Sequence, residues 1–66
     1  MNLKFIRVMV PKDNWQVRVV QLISPYNEDD QVIASRVDEK THGYVIKIGS
    51  KSKEILDIIA ERATEL

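Results

Sequence analysis

The chain contains no cysteine, one histidine, two glycines, two prolines and four aromatic residues in 66 positions. Each scarcity removes a class of function. Without thiols there is no disulfide framework and no thiolate metal site. His42 stands alone in the turn Thr41-His42-Gly43 with no carboxylates at ligand spacing, so no zinc site is expected. No serine has a recognisable nucleophile context, and a core this small leaves little room for a catalytic pocket. The chain reads as non-enzymatic, with no metal and no cofactor.

Long apolar runs are missing too. MNLKFIRVMV is interrupted by Lys4 and Arg7 and is too short for a secretory leader. No stretch is long enough to cross a bilayer, so a soluble, cytoplasmic protein is expected. Net charge is also lacking, because ten basic and ten acidic side chains cancel. No overall field draws the chain to nucleic acid or anionic lipid. The charges are nevertheless segregated. Residues 1–23 carry Lys4, Arg7, Lys12 and Arg18 against Asp13 alone, whereas residues 24–66 hold nine acids against six bases.

What the chain does have is short apolar segments, enough for one domain spanning 1–66 near the lower size limit for a self-sufficient core. Leu3 to Val10 has strand composition and stops at Pro11. Pro11-Lys12-Asp13-Asn14 has turn composition, and Trp15 to Ile23 resumes strand character. Ser24 to Asp30 is a polar loop, Gln31 to Val37 a weaker strand, Asp38 to Gly43 a turn, and Tyr44 to Ile48 a fourth strand. From Ser52 the period becomes helical, with Ile55, Ile58, Ile59, Arg62, Ala63 and Leu66 on one stripe. The expected fold is α+β, a four-stranded antiparallel β-β-β-β-α meander with one C-terminal helix packed on one sheet face.

A register follows from the turns. Val10, Val8 and Ile6 would face Trp15, Val17 and Val19. Val37, Ser35 and Ile33 would face Tyr44, Ile46 and Ile48, with Ile23 against Ile33 joining the hairpins. The helix then covers the face holding these residues. The opposite face would carry Leu3, Phe5, Arg7 and Met9 from the first strand and Gln16, Arg18, Val20 and Leu22 from the second. Val32, Ala34, Arg36 and Asp38 would follow from the third, and Val45 and Lys47 from the fourth. Leu3, Phe5, Val20 and Leu22 form an apolar patch there of roughly 400–600 Å², the size that marks contact surfaces. The alternatives are a more curled, barrel-like sheet that takes this patch into its own core, and ordinary exposure of residues that strands favour by propensity alone.

The polar residues give further candidates. Arg7 and Arg18 would be directly opposite, with Arg36 on the same face, and such like-charge neighbours suit an acidic partner. Ser50, Lys51, Ser52 and Lys53 precede the helix and could bind an anion at its N-terminus, although a serine cap backed by Glu54 is the simpler account. Glu54, Asp57, Glu61 and Glu65 make an acidic helical stripe. With Glu28, Asp29 and Asp30 it could meet a basic partner, or it could simply be a solvated helix face. The leading function is a protein-interaction module, a homodimer or an adaptor or inhibitor of a larger protein. It would use Leu3, Phe5, Arg7, Arg18, Val20, Leu22 and Arg36. The alternative is a nucleic-acid-binding module on the basic residues of the same face and of the helix N-terminus. Phe5 as the only aromatic on that face weakens the second reading.

Overall fold

The computed structural model describes residues 2–26 and 32–65. The order of elements is β1 (Lys4–Val10), α1 (Trp15–Ile23), a single 3₁₀ turn (Ser24–Tyr26), β2 (Val32–Lys40), β3 (Gly43–Ser50) and α2 (Lys53–Ala63). The three strands form one antiparallel sheet in the order β1-β3-β2, so β3 is central and α1 carries the chain from one edge to the other. Both helices pack on the same face. The class is α+β, but the four-stranded meander with one C-terminal helix is corrected to three strands and two helices.

The correction rests on Trp15–Ile23. Read as a strand, its apolar residues divide between two faces. Read as a helix, Trp15, Val19, Leu22 and Ile23 fall on one stripe, and Val19 and Leu22 are buried while Trp15 and Ile23 are half-buried. The β-branched residues favour strands by propensity, but covering an otherwise bare sheet face outweighs a preference of tenths of a kcal/mol, about that much per residue. The approach to the helix also turns the chain out of the sheet. Pro11 ends the ladder, and Asn14 adopts the left-handed region at φ 55°. The Trp15 amide donates to the Lys12 carbonyl at 3.3 Å, and the Arg18 amide donates to the Asn14 carbonyl at 3.0 Å.

The second helix forms where its spacing predicts, although Ile58, expected on the covered stripe, is exposed. Leu56, Ile59 and Ala63 are buried, and Ser52 caps the N-terminus, its hydroxyl oxygen accepting from the Ile55 amide at 3.3 Å. The two helices are joined through Arg62. Its guanidinium donates to the Gln21 and Leu22 carbonyls at 3.2 and 3.4 Å, satisfying acceptors at the end of α1 that have no partner within that helix.

The register also differs from the expected one. Tyr44, Ile46 and Ile48 of β3 face Val10, Val8 and Ile6 of β1 on one side and Glu39, Arg36 and Ala34 of β2 on the other. The expected Ile33–Ile48 and Ser35–Ile46 pairs are therefore displaced by one residue, and β2 extends through Asp38, Glu39 and Lys40, which had been assigned to a turn. A bulge between Arg36 and Asp38 absorbs the extra residue, Val37. Because side chains alternate, this shift exchanges the faces: Val32, Ala34 and Arg36 turn toward the helices and Ile33 turns away. The resulting core holds Val8, Val10, Val19, Leu22, Val32, Ile46, Ile48, Leu56, Ile59 and Ala63. Glu28, Asp29, Asp30, Gln31 and Leu66, named above as loop, strand or stripe residues, lie outside the described residues.

Candidate functional site

The sheet face away from the helices is the candidate site. Three cross-strand rows compose it: Phe5–Gly49–Ile33, Arg7–Lys47–Ser35 and Met9–Val45–Asp38. Leu3 precedes β1 and extends its outward alternation. Leu3, Phe5, Met9 and Ile33 each leave between 42% and 54% of their surface in water. Apolar groups thus flank a centre made of two cations.

Gly49 explains the shape of the first row. A Cβ at this position would lie 2.5 Å from the Phe5 ring and 3.2 Å from Ile33 Cγ1, so the glycine lets both side chains lean over the middle strand. The Lys47 ammonium lies 4.4 Å from the Phe5 ring centroid, within reach of the electron-rich ring face. A shallow depression lined by Phe5, Ile6, Arg7 and Lys47 marks the same place.

Arg7 and Lys47 are direct cross-strand partners. Like charges so placed repel. Among the described residues neither has a carboxylate within ion-pair distance; the three ion pairs are Lys12–Glu39, Lys40–Asp38 and Lys53–Asp57. Asp38 is the acid at the corner of this face. Its carboxyl is held below the ordinary range by the Glu39 amide at 2.8 Å and by Lys40 at 3.2 Å, with Arg7 a minor influence. The central cations are left facing water.

The other expected contact residues separate. Leu3, Phe5 and Arg7 do share this face. Leu22 is buried in the core at 2% exposure, and Val20 lies exposed on α1. Arg18 is also on α1, where its Nε donates to the Asp13 carbonyl at 2.9 Å, so the expected Arg7–Arg18 pair does not form. Arg36 lies on the helix side, its guanidinium 5.1 Å from the Trp15 ring and 4.9 Å from the Tyr44 ring. Those rings stand 5.2 Å apart, tilted by 58°. Arg36 thereby ties α1 to the sheet. Met9 and Lys47 were expected on this face but not among its leading contact residues, and Ile33 was expected on the helix side because β2 was read one residue out of register.

At the N-terminus of α2, Ser50 is fully buried and its hydroxyl oxygen accepts from the Ser52 amide at 3.1 Å. Ser52 is occupied as the cap, Lys53 pairs with Asp57 at 3.1 Å, and Lys51 is exposed. No group of three or more histidine, cysteine, aspartate or glutamate side chains that could hold a metal is present among the described residues. No helix among them is long and apolar enough to cross a membrane. No protein-family model, curated protein or solved structure matches the chain.

Proposed function

We propose that the chain is a small protein-interaction module that docks another polypeptide on the open sheet face. The observation that carries this reading is the grouping of Leu3, Phe5, Met9 and Ile33, all about half exposed, around the cations Arg7 and Lys47, which have no ion pair among the described residues. An isolated apolar residue on a surface is ordinary, but several apolar residues flanking a pair of cations on one face have the composition of a contact site. The apolar side chains supply contact area, and the two cations set orientation. Adaptor, inhibitor and self-association are all uses of such a face.

Affinity capture with three forms of the chain tests this reading. Phe5→Glu puts a charge in the patch, whereas Val17→Glu puts the same charge on the exposed side of α1. Binding lost with Phe5→Glu and kept with Val17→Glu supports the assignment. Equal binding by both variants contradicts it.

A second reading is favoured by one feature, the Phe5 ring in the row next to the Arg7–Lys47 pair, with Lys47 4.4 Å from its centroid. A ring beside two cations on an open sheet suits base stacking with phosphate contacts. Binding of a single-stranded oligonucleotide that weakens steeply with salt would support that reading. Its absence at low salt would remove it.

A further inference from the structure

Among the described residues, the large apolar side chains that remain exposed are Leu3 before β1, Phe5, Met9, Ile33 and Val37 on the strands and Val17, Val20 and Ile58 on the helices. Ile58 sits on the side of α2 opposite Leu56, Ile59 and Ala63, which are buried. Glu54 and Glu61 are four residues before it and three after it, so they share that outer side, and Glu65 follows in the turn after the helix. None of the three is in an ion pair within the molecule among the described residues. One outer surface of this two-layer molecule therefore carries apolar groups with two cations, and the opposite one carries an apolar group with three acids.

Resting on the interaction-face reading, we propose that the occupant of the open sheet face is a second copy of the chain, bound through the outer side of its α2. Charge complementarity selects this arrangement over a two-fold dimer. Burying the sheet face on itself would bring Arg7 and Lys47 of both copies together, four cations in a drying interface. Seating α2 there instead places Ile58 among Phe5, Met9 and Ile33 and sets the glutamates against the cations. The dimensions agree: eleven residues of helix extend about 16 Å, and Phe5 to Met9 spans about 13 Å. Such a contact is smaller than the standard interface of about 800 Å² per partner, so association is weak, with a dissociation constant of roughly 0.1–1 mM. The two surfaces differ, so the contact is head-to-tail and extends from copy to copy.

Two charge-reversed chains test this by sedimentation equilibrium at low and high salt. Arg7→Glu/Lys47→Glu makes both surfaces acidic, and Glu61→Lys/Glu65→Lys makes both basic. The second pair also removes like-charge neighbours on α2 and favours the helix dipole, so folding is retained. The native chain associates, more weakly at high salt. Each variant alone associates roughly tenfold to a hundredfold less, and an equimolar mixture recovers the native affinity. If the Arg7→Glu/Lys47→Glu chain unfolds, Arg7→Gln/Lys47→Gln replaces it and is expected to lose self-association but to recover one native contact with the Glu61→Lys/Glu65→Lys chain, whose sheet face is unaltered. A native chain that stays monomeric to about 1 mM overturns the self-partner while leaving the capture experiment to judge the face itself. A mixture no stronger than its components, beside an associating native chain, overturns the head-to-tail geometry.

Discussion

The two faces of the sheet are built from the same three strands and both carry apolar residues, yet they stand in opposite environments. On one, Val8, Val10, Ile46 and Ile48 lie under α1 and α2 with almost no surface left in water. On the other, Phe5, Met9 and Ile33 are about half exposed and their neighbours are Arg7 and Lys47. The contrast arises from supply. Two helices of nine and eleven residues are enough to roof one face of a three-stranded sheet, and nothing in the described chain is left for the other. An apolar side chain on a strand is therefore not buried here by its character alone. The helix roof buries it.

Truncations on opposite faces should show this contrast most strongly. Ile46→Ala leaves a cavity in a fully packed site and is expected to cost about 2–5 kcal/mol in denaturant unfolding, whereas Ile33→Ala should cost under about 1 kcal/mol. Comparable losses at both sites would mean that the open face is packed inside the monomer. Within α1 the same logic distinguishes helix from strand. Leu22→Ala should approach the Ile46 value, and Val20→Ala should stay within about 0.5 kcal/mol. In the meander both residues would share one face and respond alike.

A smaller effect is expected at Gly49. The added methyl of Gly49→Ala would meet the Phe5 ring, a side chain free to swing into water, so the loss should be about 1 kcal/mol. Combined with Phe5→Ala, the substitution should cost less than the sum of the two single changes. Strict additivity would show that Phe5 does not lie over the glycine. At Gly43 the obstruction would be the Val10 carbonyl oxygen of the backbone, and no side-chain motion relieves it. Gly43→Ala should accordingly be the more damaging of the two glycine substitutions.

The smallest effect is electrostatic. Glu39 is held below its ordinary value by its hydrogen bond to Lys12 at 2.8 Å, and Asp38 by the Glu39 amide and Lys40. A lowered carboxyl pKa in the folded state stabilises above the ordinary value and is lost as pH falls through the folded value. Stability should thus decline slightly on acidification below about pH 4.5, the ordinary glutamate value. The decline should be weaker in high salt because both groups are exposed. Lys12→Met should remove the Glu39 part of it, and an unchanged acid limb would deny that pair any role.

Much of this arrangement was legible where one periodicity dominated. Leu3, Phe5, Arg7 and Met9 alternate with Ile6, Val8 and Val10, so β1 and its outward face follow from the residues alone. The 3.6-residue spacing of α2 and its serine cap were equally plain. Trp15–Ile23 was ambiguous because its valines satisfy strand propensity while Trp15, Val19, Leu22 and Ile23 satisfy a helix. Gln16, Arg18 and Gln21, good helix formers at the intervening positions, were the available signal. The bulge at Val37 left no trace in composition, since nothing local distinguishes that valine from one in a regular ladder. One inserted residue then reversed the faces of Ile33 and Arg36, removing Arg36 from the expected site and adding Ile33, while Arg18, Val20 and Leu22 left it with the helix.

Solvent paramagnetic relaxation of the side-chain methyl groups in dilute solution tests most directly whether one sheet face is left without a cover. Signals from Met9 and Ile33 should be strongly attenuated by a soluble paramagnetic agent, and those from Val10, Ile46, Ile48 and Ile59 should persist. Protection of Met9 and Ile33 equal to that of Ile46 in the monomer would contradict the uncovered face and everything proposed to dock on it.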